Sequence, residues 1–228
     1  MHANSRPVTS NQTGIHDQLH ALIERHANSP YLRPIADHSR QGFDTAITAW
    51  QATGSIPLII DAGCGVGLST RKLAQRHPDC FVIGIDQSAD RLARELRWEG
   101  EVPGNHLLVR ADLVDFWRLM LEHAMYPSRH YLLYPNPWPK KSQLARRWHG
   151  HPVFPALLAL GGQIECRSNW EIYIQEFALA VTQLTHAPVR CESLLPDTDA
   201  LTPFEEKYRA SGHALWRCQL QLPALMAS

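Results

Sequence analysis

Apolar and polar residues follow one another along this chain in blocks that predict alternating strands and helices from Ile56 onward. Residues 58–60 and 81–85 are short apolar runs, which are typical of strands buried on both faces of a sheet. The first run is followed by residues 68–77, where the sequence predicts a helix that ends at His77-Pro78. Strands that alternate with helices favour a parallel sheet covered by helices.

The same pattern continues toward the end of the chain and brings the number of predicted strands to seven. The five further strands are expected over residues 105–110, 131–134, 163–166, 189–194 and 214–220. A stripe of apolar residues over residues 112–123 is expected to pack in the core as one face of a helix. Two more helices and a loop complete the pattern: a helix capped by Ser88 that carries Leu92 and Leu96, a helix over residues 170–184 with Asn169 as a candidate cap, and a loop over residues 196–203.

The first 55 residues lack this alternation and are predicted to form a helical extension. Residues 1–16 are polar and are expected to be mobile or to drape over the domain. Asp17 is a candidate cap for a short helix that ends near residue 28, and a second helix is expected over residues 37–51. A chain of 228 residues is long enough for one α/β domain with an extension. We therefore expect an extension over residues 1–55 and one domain over residues 56–228.

Composition and charge narrow the functional classes. Hydrophobic residues make up 44% of the chain, which supports a core, and 22 Lys and Arg balance 22 Asp and Glu. A nucleic-acid-binding protein of zero net charge must concentrate its positive charge locally. The five cysteines form no C-x-x-C pair and the 13 histidines no H-E-x-x-H motif, so we expect reduced thiols, no metal and a cytoplasmic location. No apolar run approaches a membrane span, and the sequence is compatible with a monomer or a homodimer.

A glycine-rich turn joins the first strand to the helix after it. Its sequence is Asp61-Ala62-Gly63-Cys64-Gly65-Val66-Gly67, and Asp86 ends the second strand. Gly63, Gly65 and Gly67 let the backbone approach a ligand closely. An acid in the position of Asp86 can accept hydrogen bonds from both ribose hydroxyls. A plain tight turn would also use glycine, but the strand, turn, helix and terminal acid in register favour a nucleoside-cofactor site.

The spacing of this turn separates two kinds of cofactor. The dinucleotide motif is G-x-G-x-x-G, and an acid at the position of Asp61 is poorly placed beside a pyrophosphate but suits a cationic ligand. The pattern D/E-x-G-x-G-x-G resembles the first motif of S-adenosylmethionine-dependent methyltransferases. This resemblance implies S-adenosylmethionine as the cofactor, with Asp61 near its methionine part.

The fourth strand stops at a proline-rich turn, Tyr134-Pro135-Asn136-Pro137-Trp138-Pro139. In an open α/β sheet, ligands bind beyond the carboxyl ends of the strands near the switch point, which strands one and four would flank. We therefore expect Asn136 to face the reactive end of the cofactor, held by the prolines on either side. Trp138 offers an aromatic face to a base.

Four cations follow within eight residues: Lys140, Lys141, Arg146 and Arg147. In a chain of zero net charge, this cluster is typical of a phosphate-binding surface. A solvated basic loop is the alternative. The position of the cluster, directly after a proline–tryptophan turn at a cofactor site, favours the phosphate-binding interpretation.

Three segments together resemble one family. Residues 134–148, YPNPWPKKSQLARRW, resemble F-P-D-P-W-x-K-x-R-H-x-K-R-R of the bacterial tRNA (guanine-N7)-methyltransferases, a family of class I S-adenosylmethionine-dependent methyltransferases. Residues 161–173 resemble the family's G-G-x-x-x-x-x-T-D-W-x-x-Y, and residues 202–205, followed by Gly212-His213, resemble its T-x-F-E and following glycine. With the glycine turn, four motifs occur in order over residues 57–220. The chain is therefore similar to this family as a divergent member.

The resemblance implies a Rossmann-like, doubly wound, mostly parallel seven-stranded methyltransferase sheet with an N-terminal helical extension, in an enzyme that methylates tRNA. It also implies a role for each matching residue, with Asn136 as the catalytic residue. The implied groups are a cofactor site of Asp61, Gly63, Gly65, Gly67, Asp86, Asp112 and Asn136; a guanosine site of Lys140, Asn169, Thr202, Pro203, Phe204 and Glu205; and a tRNA-contacting segment of Ser142, Gln143, Leu144, Ala145, Arg146 and Arg147.

Asn136 and Asn169 depart from the family pattern, which has aspartates at both positions. Guanine N7 is already a nucleophile and its methylation releases no proton, so the reaction requires N7 in line with the methyl group rather than a general base. A carboxylate can accept from guanine N1–H and N2–H₂ together, whereas an amide oxygen accepts less strongly and its NH₂ is a donor. Loss of both anions is therefore expected to weaken guanine capture.

Three interpretations follow from this departure. The chain is a weakened guanine-N7 enzyme, an amino-group methyltransferase, or a non-catalytic homologue that binds cofactor or RNA. The second is suggested by Asn136-Pro137-Trp138, which partly resembles the N-P-P-Y/F turn of amino-methyltransferases but lacks its second proline. The three other family segments favour the first.

Overall fold

Seven strands form one sheet in the computed structural model, which describes residues 5–29, 31–94, 98 and 100–223. The strand order is β3-β2-β1-β4-β5-β7-β6. The first five strands pair in parallel, and β7 is antiparallel to both of its neighbours. This order confirms the predicted doubly wound, mostly parallel sheet. The strands are β1 Leu58–Ala62, β2 Phe81–Asp86, β3 His106–Arg110, β4 Arg129–Leu133, β5 Gly162–Ser168, β6 Arg190–Ser193 and β7 Trp216–Leu222.

Helices cover both faces of the sheet. The described α-helices are α1 Leu19–Ala27, α2 Asp37–Ala52, α3 Leu68–Arg76, α4 Ala89–Leu92, α5 Leu113–Glu122, α6 Phe154–Ala159, α7 Glu171–Thr185 and α8 Pro203–Ala210. Two short 3-10 helices, Lys141–Arg146 and Trp148–Gly150, follow the proline-rich turn. Among the described residues no helix is both long and apolar enough to cross a lipid bilayer.

The central strands are buried on both faces, as their unbroken apolar runs predict. Successive side chains of a strand point to opposite faces. Ile60 and Ile83 accordingly belong to the larger core, whereas Ile59 and Val82 belong to a smaller core with Leu73 of α3. The larger core also takes the predicted apolar stripe of α5.

The two N-terminal helices pack on the larger core rather than on a core of their own. Leu19 and Ile23 of α1 and Phe43 of α2 are buried in it. Helix α1 lies against α7, and α2 lies against β3 and α5. Within the described residues, the N-terminal extension therefore completes the hydrophobic layer of the sheet domain.

Two predicted helix caps are wrong, and one is confirmed. Helix α1 has Gln18 at its N-cap and no side-chain cap, because the Asp17 carboxylate accepts from the Gln18 N–H and lies 2.9 Å from Nδ1 of His16, both outside the helix. Helix α7 has Trp170 at its N-cap, and the side chain of Asn169 bonds to His213 instead. Ser88 does cap α4 by accepting from the Arg91 N–H. Leu96, which was expected on the same helix, lies outside the described residues.

Helices α6 and α8 are absent from the sequence prediction. The loop expected over residues 196–203 ends before Thr202, whose hydroxyl accepts from the Glu205 N–H as the N-cap of α8. The sequence contains the signal for this start: a threonine cap, proline at the first helical position and glutamate three residues after the cap. Tertiary packing stabilises this short helix, because Glu205 is fully buried.

Gly42 lies where α2 makes its closest approach to the sheet. A Cβ at this position would lie 2.4 Å from the backbone oxygen of Arg110, at the end of β3. A backbone atom cannot swing aside as a flexible side chain can. The glycine therefore sets the distance between α2 and β3.

We expect Gly42→Ala to lower the free energy of unfolding by up to about 2 kcal/mol. Alanine gains about 1 kcal/mol of helix propensity, but overpacking against backbone costs about 1–3 kcal/mol. Gly104→Ala is the matched control, because a Cβ there meets no atom within 4 Å. Urea unfolding of both variants measures the difference. A Gly42→Ala protein more stable than wild type would show that α2 can move away at little cost.

Candidate functional site

The predicted site residues meet at one edge of the sheet. Asp61 and Asp86 lie in the carboxyl-terminal parts of β1 and β2, and Asp112 follows β3. Asn136 and Asn169 follow β4 and β5 in the same way. Because these five strands are parallel neighbours, their carboxyl ends share one edge. The structure therefore brings together the two constellations that the sequence contains.

The glycine turn after β1 requires its glycines. Gly63, Gly65 and Gly67 have φ values of 80°, 61° and 83°, in the left-handed region. A Cβ on Gly67 would lie 2.5 Å from a methyl carbon of Leu108, whereas a Cβ on Gly63 or Gly65 would meet no atom within 4 Å. Gly67 is thus needed for packing, while the first two glycines border open space that a ligand can enter.

Asp86 anchors this turn to the end of β2. One carboxylate oxygen accepts from the Gly65 N–H at 3.0 Å and the other from the Ser88 N–H at 2.8 Å. The guanidinium of Arg91 lies 3.4 Å from the first oxygen. Each carboxylate oxygen can accept more than one hydrogen bond. Asp86 can therefore hold the turn and still accept from a further donor.

Asp61 is buried beneath the glycine turn. It is 1% exposed, and the hydroxyls of Ser69 and Thr70 donate to its Oδ2 at 2.6 and 2.7 Å. Burial raises the pKa of Asp61 to about 6, although the two hydroxyls act in the opposite direction. A positive charge placed near this carboxyl would favour its ionised form.

Asp112 is less available than the sequence suggests. Its carboxylate caps α5 by accepting from the Val114 N–H, and its other oxygen pairs with Arg33 at 2.9 Å. Arg33 also pairs with Asp115 at 2.7 Å. The carboxylate remains about one quarter exposed, with a relative accessibility of 27%.

The proline-rich turn holds Asn136 at the surface in a constrained backbone. Tyr134 and Trp138, on either side of it, have φ values of 53° and 45°, which non-glycine residues adopt rarely. The Asn136 Oδ1 accepts from the Trp138 N–H at 3.3 Å. Asn136 is exposed, and its amide NH₂ has no acceptor among the described residues. The turn thus presents a donor.

Half of the segment expected to meet tRNA is exposed, together with the two lysines that precede it. Lys140, Lys141, Ser142, Ala145 and Arg146 lie at the surface. The Arg146 guanidinium lies 4.8 Å from the ring centroid of Trp138, so it covers one face of that ring. Gln143 is half-buried and accepts from the Lys140 N–H. The expectation that Leu144 contacts tRNA is corrected, since its side chain is buried in the larger core.

The expectation that Arg147 contacts tRNA is also corrected, because its guanidinium is fully buried. It is 0% exposed and pairs with Glu176 at 2.5 Å. It also donates to the Trp138 carbonyl and to the Gln12 side chain, and it lies 4.8 Å from the ring centroid of Trp170. A guanidinium with these partners is not available to a phosphate. The exposed basic segment therefore has three cations instead of four.

Glu176 is the centre of this buried cluster. Its two oxygens accept from Arg147, from His149 at 2.9 Å, from the Gln12 amide at 2.5 Å and from the His16 N–H at 2.9 Å. Burial alone would raise its pKa, but the histidine and the guanidinium lower the pKa to about 2. The carboxylate is therefore ionised at neutral pH and ties residues 12–16 to the segment that follows the proline turn.

Helix α8 is attached to β5 by Glu205, which is another correction. Its carboxylate accepts from Arg167 at 3.0 Å on both oxygens and from Arg209 at 2.7 Å. It is fully buried and faces the protein interior, so it is unavailable to a guanosine. Thr202 is buried as the cap of α8, whereas Pro203 is exposed and Phe204 is 58% exposed. Phe204 is thus the member of this motif that presents a large surface to a ligand.

Asn169 lies beside an aromatic stack on α8 and the turn after it. Its Nδ2 is 3.3 Å from Nδ1 of His213. The His213 ring stacks on Tyr208 with centroids 5.4 Å apart and an interplanar angle of 12°, and its Nε2 lies 3.0 Å from the Ser5 carbonyl oxygen. The Ser5 N–H donates to the Ser211 hydroxyl. Residue 5 is therefore fixed against the turn that follows α8.

Sequence reasoning missed Glu176, His213 and Arg167. Glu176 has a visible signal, since it lies three residues after Tyr173 on the apolar face of α7 and is the charged residue of that face. Arg167 lies two residues after Glu165 on β5, and the two side chains pair at 2.6 Å. His213 directly follows the motif glycine Gly212, but the sequence gives no signal of its role, because its partners lie 44 and 208 residues away.

Features elsewhere do not compete with this edge as the site. Two cavities of about 380 and 420 Å³ share Ala27 and Pro155, and none of the predicted site residues lines either one. Across the described part of the chain, no three His, Cys, Asp or Glu side chains are grouped so that they could hold a metal ion.

The buried cluster predicts that substitutions of two adjacent arginines differ greatly in their effect on stability. Arg147→Ala leaves the Glu176 carboxylate without its guanidinium and should lower the free energy of unfolding by about 3–5 kcal/mol. Arg146→Ala removes an exposed side chain and should change it by less than about 0.5 kcal/mol. Urea unfolding of both variants at pH 7 tests this difference, and equal effects would contradict the burial of Arg147.

The difference in stability between wild type and Arg147→Ala should depend on pH. The pKa of Glu176 is lowered to about 2 from an ordinary value of 4.5, so its contribution to stability is complete above pH 4.5 and is lost as the pH falls toward 2. The gap between wild type and Arg147→Ala should therefore narrow on acidification through this range.

Comparison with known proteins assigns the chain to a methyltransferase family. A family model described as "Putative methyltransferase" (Methyltransf_4) matches residues 55–218. The tRNA (guanine-N(7)-)-methyltransferase of Methylobacillus flagellatus is 30% identical over 173 residues, which cover 70% of this chain and 69% of the relative. That of Thiobacillus denitrificans is 28% identical over 166 residues, which cover 70% of this chain and 73% of the relative.

Solved structures share the fold at low sequence identity. An antibiotic-related methyltransferase has a TM-score of 0.57 and 14% identity, and the match covers 86% of this chain and 98% of that one. The 16S rRNA methyltransferase KamB has a TM-score of 0.53 and 15% identity, over 85% of this chain and 97% of that one. The sheet is thus that of class I methyltransferases. The family model matches residues 55–218 of the chain, and the curated relatives are 28–30% identical to it. The chain therefore belongs to this methyltransferase family as a divergent member.

Proposed function

We propose that this protein is a cytoplasmic S-adenosylmethionine-dependent methyltransferase that transfers a methyl group to N7 of a guanosine in tRNA. One observation carries the proposal most directly: the glycine turn with Asp86 and the proline turn with Asn136 meet at one edge of the sheet. The curated relatives named for this reaction support the choice of tRNA as the substrate.

The residues of the glycine turn fit S-adenosylmethionine. The open space at Gly63 and Gly65 leaves room for a nucleoside, and Asp86 can accept from its ribose hydroxyls. Asp61 is buried, so its charge would stabilise the cationic methionine part through the electric field rather than through direct contact. When bound, this cofactor supplies a methyl group activated by a positively charged sulfur. A 16S rRNA (adenine(1408)-N(1))-methyltransferase from Catenulisporales acidiphilia has been solved with cosubstrate SAM, and its fold matches this chain with a TM-score of 0.52 at 16% identity over 79% of this chain and 93% of that one.

At the acceptor, the task of the protein is positioning. Guanine N7 carries its own lone pair and its methylation releases no proton, so no side chain has to act as a base. The constrained turn from Tyr134 to Trp138 holds Asn136 with little freedom to lose on binding. The exposed ring of Phe204 offers a surface on which a base can stack.

The exposed cations suit the phosphate backbone of an RNA. Lys140, Lys141 and Arg146 follow the proline turn directly, at the surface of a chain whose formal net charge is zero. Contacts of this kind add affinity without reading sequence, because they neutralise phosphates and release counterions. The basic segment therefore supports an RNA substrate rather than a free nucleoside.

Methylation of an exocyclic amine is the second candidate reaction, and the geometry of Asn136 counts against it. That reaction would use the amide oxygen to accept from the target NH₂. Here the oxygen accepts from the Trp138 N–H, and the free amide group is the NH₂ donor. One of the two lone pairs of this oxygen is therefore engaged within the turn, whereas the NH₂ is free to donate.

The buried Asp61 gives the cofactor site a predicted pH dependence. Its pKa is raised to about 6, so below pH 6 the protein must release a proton before the carboxylate can stabilise a cation. We expect affinity for S-adenosylhomocysteine, which keeps the same ammonium group, to rise up to about fivefold from pH 5 to 6 and up to about tenfold by pH 7, and then to level off. Isothermal titration calorimetry across this range measures it. Asp61→Asn should give a flat profile, and a rise that persists in this variant would assign the titration to another group.

Methyl transfer to unmodified tRNA tests the proposal itself. We expect N7-methylguanosine as the product when labelled cofactor and a tRNA pool are incubated with the protein and the nucleosides are analysed. Asp86→Ala should weaken cofactor binding by about 1–3 kcal/mol, because a charged acceptor of the ribose is lost. Asp90→Ala is the matched control, since Asp90 is an exposed acid four residues further along the chain.

Three results would contradict the proposal. A methylated exocyclic amine would assign the protein to the amino-group enzymes. Cofactor binding without transfer to any RNA would leave a non-catalytic binding protein. Absence of cofactor binding by the wild type would remove the enzyme assignment.

A further inference from the structure

The hydrogen bonds of His213 determine which end of the Asn169 amide faces the site. A carbonyl oxygen can only accept, so the bond from Nε2 to the Ser5 oxygen, at 3.0 Å, places a proton on Nε2. In a neutral imidazole, Nδ1 is then an acceptor. Its partner at 3.3 Å is therefore the donor NH₂ of Asn169. The Asn169 Oδ1 is turned away from His213, and none of the described residues donates to it.

Asn136 is oriented in the opposite sense. The backbone N–H of Trp138 donates to its oxygen, so its NH₂ is the group left for a ligand. Asn136 and Asn169 follow β4 and β5, which are adjacent strands whose pairing continues to Leu133 and Arg167. The turns after these two strands therefore lie at the same edge of the sheet. One turn offers a donor and the other an acceptor.

This arrangement matches guanine and mismatches adenine. Guanine carries the acceptor O6 next to N7, followed by the donors N1–H and N2–H₂. Adenine has the reverse order, with a donor NH₂ followed by the acceptor N1. A donor at Asn136 suits O6, beside the nitrogen to be methylated, and an acceptor at Asn169 suits N1–H or N2–H₂.

We infer that His213 is a positioning residue that fixes Asn169 as a hydrogen-bond acceptor, and that the two oriented asparagines form an uncharged donor–acceptor pair for the guanine edge. This inference rests on the proposed function for the identity of the base. A carboxylate presents acceptors whichever way it is turned, so an aspartate needs no such partner. An amide has one acceptor and one donor group, and it discriminates only when a third residue sets its orientation.

His213 could instead serve only to hold the N-terminal segment through Ser5, and a double-mutant cycle separates the two roles. The four proteins are wild type, His213→Phe, Asn169→Asp and the double variant. Phenylalanine keeps a ring on Tyr208 but removes both nitrogens. The probes are guanosine 5′-monophosphate and adenosine 5′-monophosphate, titrated in the presence of S-adenosylhomocysteine, and the quantity compared is the ratio of the two dissociation constants.

We expect wild type to favour the guanosine nucleotide and His213→Phe to reduce this preference about fivefold, the effect of one neutral hydrogen bond. In the Asn169→Asp background, the same change should alter the preference less than twofold, because a carboxylate needs no orienting. Ser211→Ala is the control for the N-terminal segment, since it removes the other contact of Ser5 without touching Nδ1. That variant should keep the wild-type preference.

Equal losses in both backgrounds, or a loss in Ser211→Ala as large as in His213→Phe, would show a purely structural role and overturn the inference. Nitrogen NMR of His213 in the wild type tests the inference without any variant. A proton on Nδ1 in place of Nε2 would make Nδ1 a donor, and the Asn169 oxygen rather than its NH₂ would then have to face His213. Wild type with no preference for guanosine would also overturn it. A clear preference without methyl transfer to tRNA would instead contradict the proposed function and leave the inference standing.

With tRNA as substrate, His213→Phe should raise KM about fivefold and leave kcat within twofold.

Discussion

The buried carboxylate of Glu176 is the interaction on which the substrate side of this protein depends. An ionised group is tolerated in a protein interior only when charged and polar partners surround it. Here those partners come from two distant parts of the chain: Arg147 and His149 after the proline turn, and Gln12 and His16 near the N-terminus. Arg147 donates in turn to the carbonyl of Trp138, so the proline turn is tied to the same charge. One acid on α7 thereby fixes segments that have little regular structure of their own.

The two halves of the site differ in their electrostatics. The cofactor half keeps its acids, with Asp61 under the glycine turn and Asp86 at the end of β2. The proposed base-binding half has Asn136 and Asn169 where the motifs that these segments resemble have aspartates, so it carries two fewer negative charges than those motifs would place there. An uncharged pair binds a base less strongly than carboxylates do, but it also repels RNA phosphates less. Orientation of the amides then has to supply the selectivity that charge would otherwise provide.

The sequence predicted the fold well because the signals for its strands and turns are local. Unbroken apolar runs identified β1 and β2, and the glycine spacing and Asp86 lie within one strand–helix–strand unit. Predictions failed where a residue's role depends on distant partners. Arg147 belongs to a basic run in the sequence, yet it pairs in the interior with Glu176, on a helix some 30 residues later. Glu205 likewise belongs to a motif in the sequence, yet it pairs in the interior with Arg167 of β5. Composition cannot distinguish an exposed cation from one that is paired and buried.

The contacts of Ser5 have a consequence for the order in which the protein is assembled. Its partners Ser211 and His213 lie 206 and 208 residues further along the chain. During synthesis, β1, β2 and the glycine turn leave the ribosome and can pair long before those partners exist, because their contacts are close in sequence. The N-terminal segment can dock only when the turn after α8 has emerged. Under the proposed function, a nascent chain therefore gains the elements proposed to hold the cofactor well before those proposed to hold the substrate base, and RNA modification has to wait until translation of the chain is nearly finished.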